Sequence, residues 1–297
     1  MVDLFLRLVK EKPLGSFSGV LVIIFFFAGI FADFLAPSGY NDIILSDRLS
    51  PPSAKHILGA DNLGRDLLSR IIYGARISMY VGLTSSFIET SLATFIGLIC
   101  GWFGGKTDIT IQRFVDAWMC FPSLFIYLTV MAILGPGLTQ VILVLGVAGG
   151  IRASRTIRSA VIAIRENIYL EAAKAIGAPN RRILTHHILP NIMAPVIIIF
   201  TINVGGNVMA EATLSFLGFG IPPPIPSWGG MLSGSGRTYM LQAPWMALWP
   251  GLALGIVVYT INMLGDAMRD LLDPRLRGGL GRYSGVKRKM PQQLSQA

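Results

Sequence analysis

Long apolar runs alternate with shorter polar segments along most of the chain. A helix that crosses the hydrocarbon core of a bilayer needs about 20 mostly apolar residues, and the runs approach or exceed that length. We therefore predict an all-α, polytopic membrane protein with six transmembrane helices. The predicted spans are Phe17–Leu35, Ile77–Phe103, Phe114–Leu134, Pro136–Ile151, Met193–Phe216 and Trp245–Leu264.

Two of these runs need separate arguments. Three basic residues precede the first run, as in a secretory signal, but the run is long and no A-x-A cleavage pattern follows it. We interpret it as a retained anchor. The fourth run is short and meets Arg152 directly. An arginine near a helix end extends its charged group toward the interface, so this helix can continue past Arg152.

Composition supports the membrane class. Of the 297 residues, 53% are hydrophobic and only 14% are charged, whereas soluble domains carry about 25% charged residues. This excludes disordered, collagen-like and disulfide-stapled chains. The net charge of +9 indicates basic cytoplasmic loops rather than nucleic-acid binding. Cys100 and Cys120 lie within apolar runs and fit no metal-ligand spacing.

The distribution of basic residues predicts the orientation. With a cytoplasmic N-terminus, the inside segments hold 19 of the 25 lysines and arginines and the outside segments hold six, which favours cytoplasmic termini. The predicted organisation is a cytoplasmic N-terminus over 1–16, a first transmembrane helix over 17–35, an external loop with an amphipathic segment over 36–76, a core of five helices over 77–266 that includes a cytoplasmic loop at 152–190, and a cytoplasmic tail over 267–297.

The loop between the fourth and fifth spans has the pattern of two short helices joined by a glycine turn. Helical spacing begins after Asn167 and stops at Gly177, a residue suited to the left-handed conformation that ends a helix. A second helix is predicted over Arg181–Leu189. Small side chains on one face favour a docking element, and an ordinary amphipathic helix at the membrane surface is the alternative. The predicted face consists of Ala172, Ala173 and Ile176.

The same loop carries a recognisable motif. Glu171-Ala172-Ala173, followed by Gly177 and Leu189-Pro190, resembles the EAA loop of ABC-importer permeases, which docks into the nucleotide-binding subunit. His187 stands where that family has isoleucine, which leaves the helix prediction intact. The resemblance implies that the loop couples transport to ATP hydrolysis through Glu171, Ala172, Ala173, Gly177, Arg181, Leu189 and Pro190.

Further blocks resemble the C-type permease subunit of dipeptide, oligopeptide and nickel importers. They lie in order between about residue 56 and residue 275, and Ala60 departs from the usual threonine. The resemblance implies a type I ABC-importer permease fold and a substrate that is a peptide, with nickel chelates or glutathione as alternatives. The blocks are residues 59–70, 74–76, 211–218, 226–229 and 244–275.

The resemblance also implies partners. They are a second homologous permease subunit, two ATP-binding subunits, an extracytoplasmic solute-binding protein and membrane lipids, with no nucleic acid. The expected location is the inner or cell membrane of a bacterium or archaeon.

One motif suggests nucleotide binding and is better explained otherwise. Gly105-Lys106-Thr107 resembles the end of a P-loop, but the first glycine of that motif would fall at Cys100. A P-loop also follows a strand, whereas this segment ends a predicted membrane helix. We predict a tight cytoplasmic turn here, no cofactor of the chain's own, and ATP bound by the partner subunits.

Acidic residues inside predicted spans are candidates for function because charge in hydrocarbon is costly. Glu89 and Glu211 lie deepest, and each is either a helix-packing partner or a lining residue of the transport pathway. Asn203 and Asn207 share a helix face with Glu211 at steps of four. This polar stripe is predicted to face the pathway or the partner subunit.

Two other classes of protein remain as alternatives. A membrane-embedded protease or acyltransferase needs a catalytic constellation at membrane depth, but all three histidines lie in predicted loops. An ion-driven secondary transporter often shows inverted repeats, and none is evident. We therefore predict a transport subunit without an ATPase site of its own.

Overall fold

The computed structural model of the chain describes residues 8–272, so the predicted segment 1–16 and the tail 267–297 lie partly outside the described residues. The described part is helical, with an isolated bridge between Ala60 and Asp66 and no strand. The helices are α1 (Pro13–Ile30), α2 (Ala32–Leu35), α3 (Leu67–Phe103), α4 (Gly105–Met119), α5 (Ser123–Leu134), α6 (Leu138–Arg165), α7 (Ile168–Ala175), α8 (Asn180–Arg182), α9 (Leu189–Asn191), α10 (Met193–Phe216), α11 (Trp228–Leu232), α12 (Gly234–Thr238) and α13 (Trp245–Leu272).

Five helices are long and apolar enough to cross a membrane: α1, α3, α6, α10 and α13. The pair α4 and α5 makes a sixth span only if both helices are counted together, because they meet at a bend of 87°. The third predicted span, Phe114–Leu134, is therefore divided between α4 and α5 by this bend. The fifth predicted span, Met193–Phe216, has the bounds of α10.

The bend between α4 and α5 has a local cause and a tertiary one. Proline disfavours a helical conformation in the residue before it, and Pro122 directly precedes α5. The preceding helix is also held sideways against α6. Arg158 donates to Asp108 at 2.6 Å through its Nε atom, and Arg155 forms an ion pair with Asp116.

Of two further boundaries, one differs from the sequence prediction and one agrees with it. The helix of the second span begins at Leu67, so the last part of the predicted external loop 36–76 belongs to α3. Asp66 caps that helix, because its carboxylate accepts a hydrogen bond from the backbone nitrogen of Ser69 at 2.8 Å. The helix of the fourth span continues past Arg152 to Arg165, as the argument about its short apolar run predicts.

The central packing of the chain joins α3 to α6, which contact each other more extensively than any other pair of helices in the described residues. Glycines bring the two backbones close together, as in many membrane helix pairs. A Cβ atom at Gly97 would lie 2.7 Å from the Cβ of Ile157, and one at Gly101 would lie 2.6 Å from the Cβ of Val161. Any larger side chain at either glycine must therefore separate the helices.

The ends of α3 define two ends of the molecule. At its N-terminal end lies the segment 36–66, which we call the cap, together with the loop 217–244. Trp228 of that loop donates to the backbone oxygen of Ile71 at 3.1 Å. At its C-terminal end lies the segment 166–192, where Trp102 donates to Asn180 at 3.2 Å. Since α3 has 37 residues, the two ends are about 55 Å apart.

Candidate functional site

The segment 166–192 contains the helix and glycine turn that the sequence predicts. Ile168–Ala175 forms α7 and ends in a Schellman motif, in which Gly177 has a φ of +77°. The backbone nitrogen of Gly177 donates to the oxygen of Lys174 at 2.9 Å, and that of Ala178 donates to the oxygen of Ala173 at 3.1 Å. The glycine therefore sets the direction in which the chain leaves α7.

The prediction of one small-residue face is wrong for Ala173. This side chain is 8% exposed and packs into an apolar cluster with Leu170 and Ile183. Ala172 is exposed, and Ile176 is 85% exposed. The free face of α7 therefore presents Ala172 and Ile176, and Glu171 is also exposed, whereas Ala173 fixes the helix to the rest of the chain.

The second helix of this segment has an unusual winding. Residues Ile183–Ile188 are π-helical, flanked by the short helices α8 and α9. The backbone nitrogen of Leu189 bonds to the oxygen of Leu184, five residues earlier. Proline has no N–H, and in an α-helix its ring collides with the backbone oxygen four residues before it. The wider π-helical winding before Pro190 relieves this collision. Arg181 is exposed, and Leu189 is half-buried.

Trp102 anchors the segment 166–192 to α3, a contact that the sequence analysis missed. Its indole nitrogen donates to the side-chain oxygen of Asn180 at 3.2 Å, and the Lys174 ammonium lies 4.4 Å from the centre of its ring. Arg165 also donates to the backbone oxygen of Gly101 at 3.1 Å. The position of Trp102 at the end of an apolar run is the one sequence signal for this anchor. Its partners Asn180 and Lys174 cannot be read from that signal, because they lie more than 70 residues away in the sequence.

The polar residues of the membrane helices form two buried clusters. In the first, the Asn207 amide donates to Glu89 at 2.8 Å and to Ser86 at 2.9 Å. In the second, the Ser215 hydroxyl donates to Glu211 at 2.7 Å, and Glu211 is fully buried. Asn203 is half-buried, and its amide nitrogen has no hydrogen-bond partner among the described residues.

These clusters show helix packing within the chain. Asn207 joins α10 to α3, and Glu89 lies against α6, since a Cβ atom at Gly149 would lie 2.5 Å from the Cδ of Glu89. Glu89 therefore contacts two other helices, whereas the hydrogen bond of Glu211 to Ser215 lies within α10. Their lining of a transport pathway stays a prediction.

The cap is organised around a buried histidine. The Nδ1 atom of His56 lies 2.9 Å from Asp66, and its Nε2 atom lies 3.0 Å from Asp47. Because both nitrogens face carboxylates, both must donate, which requires the imidazolium form. Burial lowers the pKa of His56, but the hydrogen bonds to Asp47 and Asp66 outweigh it and raise the pKa above its ordinary value.

This arrangement predicts that the cap loses stability as the pH rises. A raised pKa in the folded state means that the stabilisation by His56 is complete below its unfolded pKa and is lost as the pH passes its folded pKa. We expect faster proteolysis within the cap at about pH 8 than at about pH 6. The variant His56→Gln should remove this difference, and His186→Gln, an exposed histidine at the other end, should retain it. An unchanged pH dependence in His56→Gln would contradict the prediction.

A second charged group of the cap lies beside its boundary with α3. Asp61 accepts hydrogen bonds from the backbone nitrogens of Leu63 and Arg65 and from the Arg65 guanidinium, the last at 2.7 Å. The Arg70 guanidinium lies 3.7 Å from the same carboxylate. Next to this group, the indole nitrogen of Trp245 donates to the backbone oxygen of Ala60 at 3.2 Å. The block of residues 59–70 that carries the family resemblance is thus a folded unit.

A cavity of about 290 Å³ lies between this unit and the loop 217–244. Asp61, Arg65 and Arg70 line it on the side of the cap. Residues Pro222 and Ser227 belong to its opposite wall. The cavity therefore places buried charge opposite a proline-rich loop at one end of the helix bundle.

The segment that resembles a P-loop is a turn between two helices. Gly104 and Gly105 both have positive φ and connect α3 directly to α4. Lys106 is exposed. No strand precedes it in the described residues, so the context that a P-loop requires is lacking there.

We expect Lys106→Ala to leave solute uptake and ATP hydrolysis unchanged in the transporter that the resemblance implies, because we predict a tight turn without a nucleotide site here. Uptake assays in proteoliposomes check this. Loss of ATP binding in a variant that still folds would contradict it.

Comparison with known proteins identifies the class. Residues 93–278 match the family described as "Binding-protein-dependent transport system inner membrane component". Residues 2–52 match the family described as "N-terminal TM domain of oligopeptide transport permease C". The first match covers more than half of the chain, so the protein belongs to this family of multi-pass transport permeases. It is a transport component rather than an enzyme.

Individual relatives indicate which branch of this family the protein resembles. The chain is 40% identical over 269 residues to the "Dipeptide transport system permease protein DppC" of Alkalihalophilus pseudofirmus, covering 91% of this chain and 88% of the relative. It is 35% identical over 274 residues to the "Glutathione transport system permease protein GsiD" of Pectobacterium atrosepticum, covering 92% and 91%. The protein is thus a permease of the peptide-transport branch.

A solved structure supports the fold. The MetNI methionine ABC transporter in an inward-facing conformation matches with a TM-score of 0.55, covering 69% of this chain and 96% of that chain at 19% identity. This likeness shows the type I ABC-importer permease fold. The family and the fold together decide against the membrane-embedded enzyme and the ion-driven secondary transporter.

Proposed function

We propose that this permease subunit imports dipeptides or oligopeptides. The observation that carries the proposal is the 40% identity to a dipeptide transport permease over 91% of the chain. Glutathione, itself a small peptide, is the second candidate because a glutathione permease is 35% identical over 92% of the chain. Nickel chelates are supported only by the resemblance of the sequence blocks.

We propose further that the segment 166–192 couples the permease to two ATP-binding subunits, which bind all of the ATP. Its exposed residues Glu171 and Ala172 offer a contact surface, and Gly177 and Pro190 fix the path of the chain on either side. Burial of Ala173 and the contacts of Trp102 tie this surface to α3. A movement imposed on α7 would therefore reach α3 without an intervening flexible link.

The assembly that follows contains a second, homologous permease subunit and an extracytoplasmic solute-binding protein, held in the cell or inner membrane of a bacterium or archaeon. In this proposal the cap faces outward and both termini face the cytoplasm. The excess of basic residues in the segments predicted to lie inside supports this orientation.

Reporter fusions test the orientation. Fusions near Asp47 and Ser233 should be active outside the cell, and fusions near Lys174 and Lys287 should be active in the cytoplasm. An external Lys174 would contradict both the orientation and the coupling role of the segment 166–192.

Transport itself is tested by reconstitution. The complete transporter in proteoliposomes should take up a dipeptide only when its binding protein and ATP are present, and a panel of dipeptides, glutathione and nickel chelates ranks the substrates. Uptake of a nickel chelate without uptake of any peptide would contradict the proposal.

A further inference from the structure

The cavity between the cap and the loop 217–244 has a charge distribution that nothing in the coupling mechanism requires. Arg65 is 8% exposed and Arg70 is 7% exposed, and both line the cavity with Asp61. Burying an arginine costs free energy unless a partner compensates it. Two guanidiniums and one carboxylate leave one positive charge in excess on this wall.

The hydrogen bonds of the two arginines leave much of their donor capacity unused. Arg65 donates to Asp61 at 2.7 Å and to Asn41 at 3.4 Å, and Arg70 donates to the backbone oxygen of Tyr40 at 2.9 Å. Each guanidinium carries five N–H donors in a planar fork. A carboxylate is a small group that this fork binds in a bidentate manner.

The opposite wall is suited to the remainder of a small molecule. Pro222 and Ile225 supply apolar surface there. The volume of about 290 Å³ is close to the lower limit of ordinary ligand pockets, which is about 300 Å³. A dipeptide, or the last residues of a longer peptide, is of this size.

We propose that this cavity is a binding site for the C-terminal carboxylate of the transported peptide, with Arg65 and Arg70 as its ligands. The inference rests on the proposed function, since dipeptides, longer peptides and glutathione all carry a terminal carboxylate. The permease then contributes a recognition step of its own, in addition to selection by the binding protein.

The first test compares a peptide with its amide. Uptake of dialanine and of dialanine amide is measured with the complete transporter in proteoliposomes for wild type, Arg65→Gln and Arg48→Gln. Loss of one charge-assisted contact should lower dialanine uptake about tenfold more than uptake of the amide in Arg65→Gln, because loss of the ion pair with Asp61 affects both substrates alike. Arg48 is the matched control, because it is an exposed arginine of the cap that donates to Tyr239 at 2.9 Å outside the cavity.

The second test leaves both arginines in place. Ser233 lines the cavity, and Cys120 is the exposed native cysteine to be removed. In a Cys120→Ser background, Ser233→Cys is labelled with a cationic, membrane-impermeant methanethiosulfonate. Dialanine should slow labelling severalfold and dialanine amide should not, whereas labelling of Ser46→Cys on the exposed part of the cap should respond to neither.

The outcomes separate this inference from the proposed function. Equal loss of dialanine and amide uptake in Arg65→Gln, together with labelling of Ser233→Cys that dialanine does not slow, would overturn the carboxylate site while transport of peptides stands. Wild-type transporter that takes up no peptide would overturn the proposed function, and the labelling test would still decide whether the cavity binds a carboxylate.

Discussion

Gly177→Val is expected to lower solute uptake at least tenfold while the permease still inserts and folds. No atom lies within 4 Å of the position of a Cβ at Gly177, so crowding by neighbours is not the cause. The cause is the φ of +77°, since an L-residue in the left-handed region costs about 1–2 kcal/mol and a β-branched residue costs more. The Schellman motif is then lost, and α8 leaves α7 in another direction.

A graded series isolates this effect. Gly177→Asn should be close to wild type because asparagine tolerates the left-handed conformation, and Gly177→Ala should lie between asparagine and valine. Co-purification with the ATP-binding subunits, ATP hydrolysis and uptake are measured for each variant. Equal coupling of hydrolysis to uptake across the series would show that the turn is an ordinary surface feature.

Gly97→Val is expected to destabilise the folded chain. A Cβ atom at Gly97 would lie 2.7 Å from Ile157 and 2.9 Å from the backbone nitrogen of Arg158. Valine adds two methyl groups to this contact, and overpacking of a close-packed interface costs about 1–3 kcal/mol or more. Because the contact joins α3 to α6, the loss should appear as a severalfold lower yield of monodisperse protein in detergent.

The matched control is Gly206→Val, a glycine within α10 with no atom within 4 Å of its Cβ position. This variant makes the same glycine-to-valine substitution within a helix and should keep the wild-type yield. The double variant Gly97→Val, Ile157→Ala should recover part of the lost yield, because the smaller side chain makes room across the interface. Equal yields of Gly97→Val and Gly206→Val would contradict this account of the packing.

The sequence predicted the spans well where one apolar run makes one helix. The fifth span has the predicted bounds Met193–Phe216 because no internal proline bend divides the run and its ends are set by local turns. The bend of 87° within the third span could not be predicted, because its apolar residues continue across Pro122 and the length of an apolar run carries no information about a bend. The ion pair from Arg158 to Asp108 that holds α4 aside joins residues 50 positions apart.

The segment 166–192 shows the same limit at the level of single residues. Periodicity places Ala172 and Ala173 next to each other on a short helix but does not say which of them meets the rest of the chain. Ala173 is the one that is buried, because it packs into one apolar cluster with Leu170, Ile183 and Trp102. Likewise, the pairing of Asn207 with Glu89 joins two helices 118 residues apart, and only the tertiary fold brings them together.

The unbroken length of α3 has a geometric consequence. Its 37 residues extend about 55 Å, whereas the hydrocarbon layer is about 30 Å thick, so the helix projects beyond the lipid. A rigid rod that pivots near Trp102 by about 10° carries its far tip sideways by about 10 Å. In the proposed coupling, a small displacement of the segment 166–192 by the ATP-binding subunits would therefore become a larger displacement at the opposite end of α3, without a hinge within the helix.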